Sequence, residues 1–188
     1  MIRLFLHTCC GPCATYTVKR LRAEGIEPTA FWYNPNVHPF FEHERRLEAM
    51  RSFAQSAGLP LIVAEGYDMV AYFRAVVGHE GERCLDCYRL RLRRTAVAAR
   101  EEGFLMFSTT LLISPYQQHD RLIQIGEEVG VEEGVEFYYR DFRVGFRESQ
   151  QMARELGLYR QAYCGCVYSE WERYGKARVE DGLSNWKA

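Results

Sequence analysis

Short runs rich in β-branched and aromatic residues alternate along the chain with longer amphipathic stretches. Ile2 to Leu6, Thr29 to Tyr33, Leu61 to Val63, Leu105 to Ser108 and Glu136 to Tyr139 have the length and composition of strands. Between and after them, apolar residues recur at helical spacing over Ala14 to Ala23, Phe40 to Ala57, Tyr67 to Val77, Leu85 to Glu101, Gln117 to Val129, Phe146 to Leu156 and Tyr168 to Tyr174. Gly25, Gly58 and Gly103 follow three of these stretches and read as C-terminal caps. A β-α-β-α order implies parallel strands joined by right-handed crossovers. The expected fold is therefore α/β, a Rossmann-like three-layer arrangement with a mostly parallel sheet. In such sheets ligands sit beyond the carboxyl ends of the strands, and a metal site is expected at that edge.

Composition narrows this picture. With 188 residues and 47% hydrophobic content the chain can bury one core, so residues 1–188 are expected to form a single catalytic domain. No run approaches the roughly 18 to 20 uninterrupted apolar residues that a membrane span needs. The apolar stretch at the N-terminus is too short for a signal peptide and reads as the first strand, so a cytoplasmic location and no membrane partner are expected. In a reducing compartment the seven cysteines are more often metal ligands or redox catalysts than structural staples, and the odd count disfavours a simple disulfide framework. A net charge of −1 provides no bulk capture of nucleic acid, yet 21 of the 24 basic residues are arginine, which suits phosphate forks and base stacking.

Three segments should fall on the carboxyl edge: His7-Thr8-Cys9-Cys10-Gly11-Pro12-Cys13, Asn34-Pro35-Asn36-Val37-His38-Pro39 and Thr109-Thr110-Leu111. Gly11 beside Pro12 gives little backbone cradle, which argues against a nucleotide phosphate loop. Cys84-Leu85-Asp86-Cys87 opens a predicted helix, and together with Cys9-Cys10 it makes two pairs that the sheet can bring to one metal centre. Neighbouring sulfurs are expected to diverge, chelating one small ion awkwardly but reaching different irons of a cube, which favours a [4Fe–4S] cluster over zinc. Structural zinc and thiol chemistry remain alternatives, and Cys13 can substitute for any one ligand. Asp86 reads either as a carboxylate favoured by the helix dipole or as a proton donor or extra metal ligand. In Tyr163-Cys164-Gly165-Cys166 one residue separates two thiols, so a disulfide closing them is strained and readily reduced. Cys164 and Cys166 are expected to pass electrons, two further metal ligands being the alternative.

On the helix after Cys87, Arg89, Arg93 and Arg100 share one face, thickened by Arg91 and Arg94, while Tyr88, Leu92, Ala96 and Ala99 face the core. Such a stripe is either solvated or grips phosphates. The tract Phe137 to Arg143 and the later Tyr159-Arg160-Gln161 interleave aromatics with arginine, as RNA-stacking surfaces do. Arg89, Arg93, Arg143 and Arg160 are thus the candidate nucleic-acid contacts. His119 reads as acid, base or capping support.

These motifs, taken in order, resemble the non-cobalamin epoxyqueuosine reductases of the QueH type. The resemblance runs from the first cysteine segment through Tyr33-Asn34-Pro35-Asn36, Cys84 to Tyr88, Phe107 to Leu112, Ser114 to Gln117, Asp141-Phe142-Arg143 and Gly157 to Gln161, and ends at Tyr163 to Cys166. It implies reductive removal of the epoxide oxygen from epoxyqueuosine at the wobble position of tRNA, the last step of queuosine formation. It implies that Cys9, Cys10, Cys84 and Cys87 hold a [4Fe–4S] cluster and that Cys164 and Cys166 form a redox-active disulfide. A second mononuclear metal, on Cys13 or Asp86, is left open. The implied partners are the tRNA anticodon loop carrying epoxyqueuosine, its target base splayed out, and an unknown electron donor. Deoxygenation takes two electrons and two protons, and Asp86, Tyr88 and His119 are the candidate acids. The other readings are an iron–sulfur tRNA sulfur-transfer enzyme, which would need ATP although no convincing phosphate loop is present, and a non-catalytic metal-stabilised RNA-binding module.

Overall fold

The computed structural model describes residues 2–175, so residue 1 and residues 176–188 of the expected domain lie outside the described residues. The elements follow in the order β1 (Ile2–His7), α1 (Gly11–Ala23), β2 (Ile26–Trp32), α2 (Phe40–Ala57), β3 (Leu61–Val63), α3 (Met69–Val76), α4 (Arg83–Glu101), β4 (Met106–Thr109), α5 (His119–Glu133), β5 (Glu136–Phe137), α6 (Phe146–Glu155) and α7 (Val167–Glu170). Two 3₁₀ turns, Thr110–Ile113 and Arg143–Gly145, follow β4 and precede α6, and a π-helical turn, Trp171–Gly175, continues α7.

All strand pairs are parallel and the sheet order is β3-β2-β1-β4-β5. Helices α1, α2 and α6 pack together, and α4 packs against α3 and α5. The three-layer α/β arrangement expected from the alternation is therefore present. Strand β1 is central, and its Leu4, Phe5 and Leu6 are fully buried, which is why it reads as a continuous apolar run rather than an alternating one. Phe5 packs on Phe31 and Phe104 with ring centroids 5.1 and 5.0 Å away. Leu92, Ala96 and Ala99 of α4 join the same core. Among the described residues no helix is long and apolar enough to cross a membrane.

Most boundary differences have local causes. Helix α1 starts at Gly11 instead of Ala14 because Pro12 fits a first helical turn and the Cys10 sulfur accepts the Cys13 N–H at 3.4 Å. Strand β2 starts at Ile26, ahead of Pro28. Its pairing with β3 begins only at Ala30, so the proline lies where one flank is open. The expected last helix is split into α7 and the π turn. Gly25, Gly58 and Gly103 all have positive φ, at 78°, 57° and 71°, as the caps require.

The order places a topological switch between β1 and β4, whose onward chains leave in opposite directions across the sheet. A crevice opens at the carboxyl ends of such strands. Gly11 fixes how closely the β1–α1 turn approaches α2: a Cβ there would lie 2.7 Å from the Ala49 carbonyl oxygen.

Candidate active site

The turn after β1 is tied to β4 and β2 before any cysteine is reached. His7 is buried, with Nδ1 2.8 Å from Thr109 Oγ1 and Nε2 3.2 Å from the Tyr33 carbonyl. Burial, helped by the nearby Arg91 charge, pushes its pKa down to about 3, so it is a neutral strut at neutral pH. The Cys9 backbone N–H donates to Thr110 Oγ1 at 2.9 Å, and that hydroxyl donates to Cys9 Sγ at 3.2 Å. Cys10 caps α1, and its sulfur also receives Gln161 Nε2 at 3.0 Å.

The sulfurs of Cys9, Cys10 and Cys13 all lie within 4.8 Å of one another, and those of Cys9 and Cys10 are 3.8 Å apart. The neighbouring sulfurs therefore do not diverge, contrary to expectation. The extended backbone of Cys10 at the helix N-cap turns its thiol toward both partners. Hydrogen bonds from Cys10 and Cys13 hold the Cys9 pKa well below an ordinary thiol, while burial pushes Cys10 up to about 12. Three soft sulfur donors gathered this closely, two of them buried, are a metal-binding set.

Cys84 and Cys87 stand on the first turn of α4. Burial pushes the Cys87 thiol up to about 12 and raises Cys84 as well. Arg91, one turn further, places Nη1 3.9 Å from Cys87 Sγ and donates through Nη2 to Asn34 Oδ1 at 2.7 Å. Asn34 in turn donates to the Thr8 carbonyl at 2.9 Å, so α4, the β2–α2 loop and the cysteine turn are joined.

The C-terminal thiols arrive on a segment clasped by α2 and the loop before it. Arg46, 1% exposed, pairs with Glu42 at 2.7 Å and donates to the carbonyls of Cys164 at 2.8 Å and Tyr163 at 3.1 Å. The His38 N–H donates to the Gly165 carbonyl at 2.8 Å, and Tyr163 Oη donates to the His38 carbonyl. Gly165 has φ +146°, and a Cβ there would lie 3.0 Å from Arg46 Nη1, so this position suits glycine alone. Both thiols are free: Cys164 is exposed, 3.9 Å from Gln117 Nε2, and Cys166 is buried as the N-cap of α7. Cys9, Cys13, Arg91, Gln117, Gln161 and Cys164 line one cavity of about 590 Å³. Tyr116, 82% exposed, stands at its wall against Phe146 with ring centroids 5.9 Å apart.

Comparison with known proteins decides the family: residues 4–172 match the profile described as epoxyqueuosine reductase QueH. The chain belongs to the QueH family. The epoxyqueuosine reductase QueH of Dehalococcoides mccartyi is 44% identical over 174 residues, covering 93% of this chain and 96% of its own. That of Thermotoga maritima is 36% identical over 182 residues, covering 92% and 93%. A solved structure described as a predicted subunit of tRNA methyltransferase from Methanocaldococcus jannaschii aligns with TM-score 0.55 at 14% identity, over 82% of this chain and 75% of that one. At that identity the likeness concerns the fold alone.

In this QueH chain the expected site residues separate into groups. Cys9, Cys10 and Cys13 converge, Cys9 and Cys164 share the cavity, and Cys87 reaches that cavity's wall through Arg91. Asp86 is not among the cavity-lining residues; its carboxylate faces His79 Nδ1 at 3.5 Å. Tyr88 donates to Gln117 Oε1 at 2.9 Å and accepts the Gln118 N–H at 3.1 Å, which positions the segment before α5. His119 is buried with Nε2 3.2 Å from the Leu112 carbonyl. None of the three candidate acids is among the residues lining the cavity. The arginine stripe of α4 laces that helix to α5: Arg89 pairs with Glu128 and Glu132, and Arg93 and Arg100 pair with Glu133 at 2.9 and 3.0 Å. Arg91, expected on this solvated face, is 2% exposed. It lies three residues from buried Tyr88 and four from buried Thr95, so helical geometry turns it inward. Arg143 pairs with Asp141 at 2.6 Å, and Arg160 is exposed with no acidic partner among the described residues. The local pattern did not single out Arg46, Gln117 or Tyr116. Glu42 and Arg46 at i,i+4 look like any surface pair in sequence.

Proposed function

We propose that this chain reduces epoxyqueuosine to queuosine at the wobble position of tRNA, the activity its relatives' names carry. The observation that supports this reading best is the thiol triad at the switch point of the sheet, with Cys10 and Cys13 buried and Cys9 partly so, opening onto a cavity that also presents Cys164. The balance is an epoxide plus two electrons and two protons giving an alkene and water. Oxidation of the Cys164/Cys166 dithiol to a disulfide releases two electrons and two protons, so one turnover consumes one dithiol. An electron donor, its identity open, then restores the pair.

The donor set fits an iron–sulfur centre: soft thiols, one buried and three partly buried, beside the buried Arg91, which has no carboxylate partner among the described residues. Cys9, Cys10, Cys84 and Cys87 would hold a [4Fe–4S] cluster, which supplies low-potential electrons when bound. A second mononuclear metal would use Cys13, whose sulfur lies within 4.8 Å of those of Cys9 and Cys10, in preference to Asp86, whose carboxylate faces His79.

A cavity of about 590 Å³ suits one extruded nucleoside. Tyr116 and Phe146 offer faces for its base, and Gln117, Gln150 and Gln161 offer amides to its hydroxyls. Cys164, the exposed thiol in the cavity, takes the proton-donating role in place of Asp86, Tyr88 and His119. Of the four expected arginine contacts, Arg160 is the one free to contact phosphate without giving up an acidic partner among the described residues. Contacts through Arg89, Arg93 or Arg143 must first displace a carboxylate. The reading has one catalytic domain working in the cytoplasm.

The test is anaerobic incubation of the iron- and sulfide-reconstituted protein with epoxyqueuosine-containing tRNA and a low-potential reductant, without ATP, followed by mass spectrometry of the nucleosides. Queuosine is the expected product. An untouched epoxide across several reductants refutes the reading, and a requirement for ATP transfers support to sulfur-transfer chemistry.

A further inference from the structure

Two arginines are almost wholly buried, Arg46 at 1% and Arg91 at 2% exposure. A guanidinium in the interior keeps its proton and must be compensated by an anion. Arg46 has Glu42 at 2.7 Å. Arg91 has no carboxylate among the described residues. Its hydrogen-bonding partner is the neutral amide of Asn34 at 2.7 Å, its Nη1 faces Cys87 Sγ at 3.9 Å, and its Nε, although buried, has no partner at all. One neutral hydrogen bond does not offset the desolvation of a full charge. The groups left to compensate it are sulfurs: Cys87 directly, and Cys9 and Cys164 on the wall of the cavity that Arg91 also lines.

We infer that Arg91 is a positioning residue whose fixed positive charge balances the thiolate-held metal centre and sets how readily that centre accepts an electron. The inference rests on the proposed reading that Cys9, Cys10, Cys84 and Cys87 bind an iron–sulfur cluster. Its logic is electrostatic. Reduction adds a negative charge to the centre, and a buried cation beside the ligands favours the more negative state. Asn34 and the Thr8 carbonyl hold the guanidinium in place, but in this account its charge, not the fork, carries the effect.

The test compares wild type, Arg91→Gln, Arg91→Lys and Asn34→Ala after anaerobic reconstitution. Iron and acid-labile sulfide are measured first. Each protein is then equilibrated with a reduced viologen dye, which loses the one electron the centre gains, and the equilibrium is read by absorbance. Arg91→Gln is expected to move this equilibrium by about tenfold toward the oxidised centre, a lowering of about 59 mV for a one-electron couple. Arg91→Lys and Asn34→Ala keep the charge and are expected to stay near wild type. If Arg91→Gln does not fold, those two variants still decide, because a tenfold shift in either overturns the inference. So does an unshifted, fully loaded Arg91→Gln protein, or loss of iron in both Arg91 variants. Wild-type protein that takes up no iron instead refutes the underlying metal reading, and this inference with it.

Discussion

Arg46→Met tests whether the C-terminal thiols are held by a buried clasp. The substitution keeps an apolar stem of similar length but removes the 2.7 Å pair with Glu42 and the bonds to the carbonyls of Tyr163 and Cys164. Both charged side chains are buried, so solvent does not screen the loss, and among the described residues Glu42 is left with only Tyr159 Oη donating to its carboxylate, at 2.7 Å. Breaking a buried pair on one side costs about 3–5 kcal/mol. That is a large part of a typical stability of about 5–15 kcal/mol, and it lowers the melting temperature by roughly 6–20 °C for a chain of this size. Urea unfolding of the metal-free protein under reducing conditions measures the loss. Alkylation of Cys164, timed in the same samples under native conditions, reports release of the segment and is expected to accelerate. Glu42→Gln combined with Arg46→Met should recover part of the stability, because no carboxylate is then stranded. A single-variant cost below about 1 kcal/mol with unchanged alkylation would refute the clasp, because such values belong to exposed pairs.

Cys84→Ala is expected to lose iron and sulfide together with activity, and unchanged metal content would remove Cys84 from the ligand set. Cys166→Ser, which keeps the proton-donating Cys164, should turn over with a chemical reductant but not with a thiol donor; equal loss with both would mean that the pair is not a relay. Tyr116→Ala should weaken tRNA binding by about 1–3 kcal/mol through lost stacking while Tyr116→Phe retains it, as measured by filter binding. Arg160→Ala should reduce the salt-dependence slope of tRNA binding by about one, and Arg93→Ala by less because Glu133 already neutralises it.

The sheet was legible in sequence because β1 is buried on both faces and therefore reads as one apolar run, and because α2, Phe40–Ala57, keeps an unbroken helical pattern that ends at Gly58. Pro28 concealed the start of β2, since its tolerance depends on where β3 begins to pair, a fact of tertiary structure. The cysteine turn was readable as chemistry but not as geometry: the 3.8 Å approach of Cys9 and Cys10 comes from the cap that Cys10 makes on α1. Charged residues were the hardest to read. Arg91 and Arg46 are buried while Arg89 and Arg93 are not, and the partners that decide this, Asn34, Cys164 and the glutamates of α5, are distant in sequence. The candidate acids do not line the cavity. Asp86 sits between two cysteines in sequence, but its carboxylate faces His79.

The most direct test of the central claim is a single turnover. Protein carrying its metal centre and reduced Cys164 and Cys166 is freed of reductant and mixed anaerobically with excess epoxyqueuosine-containing tRNA. Nucleosides and cysteine-containing peptides are then quantified by mass spectrometry. The account predicts about one queuosine per protein, one oxygen fewer than the substrate, with a Cys164–Cys166 disulfide formed in equal amount. Unchanged epoxyqueuosine, or queuosine formed while both thiols remain free, would contradict it.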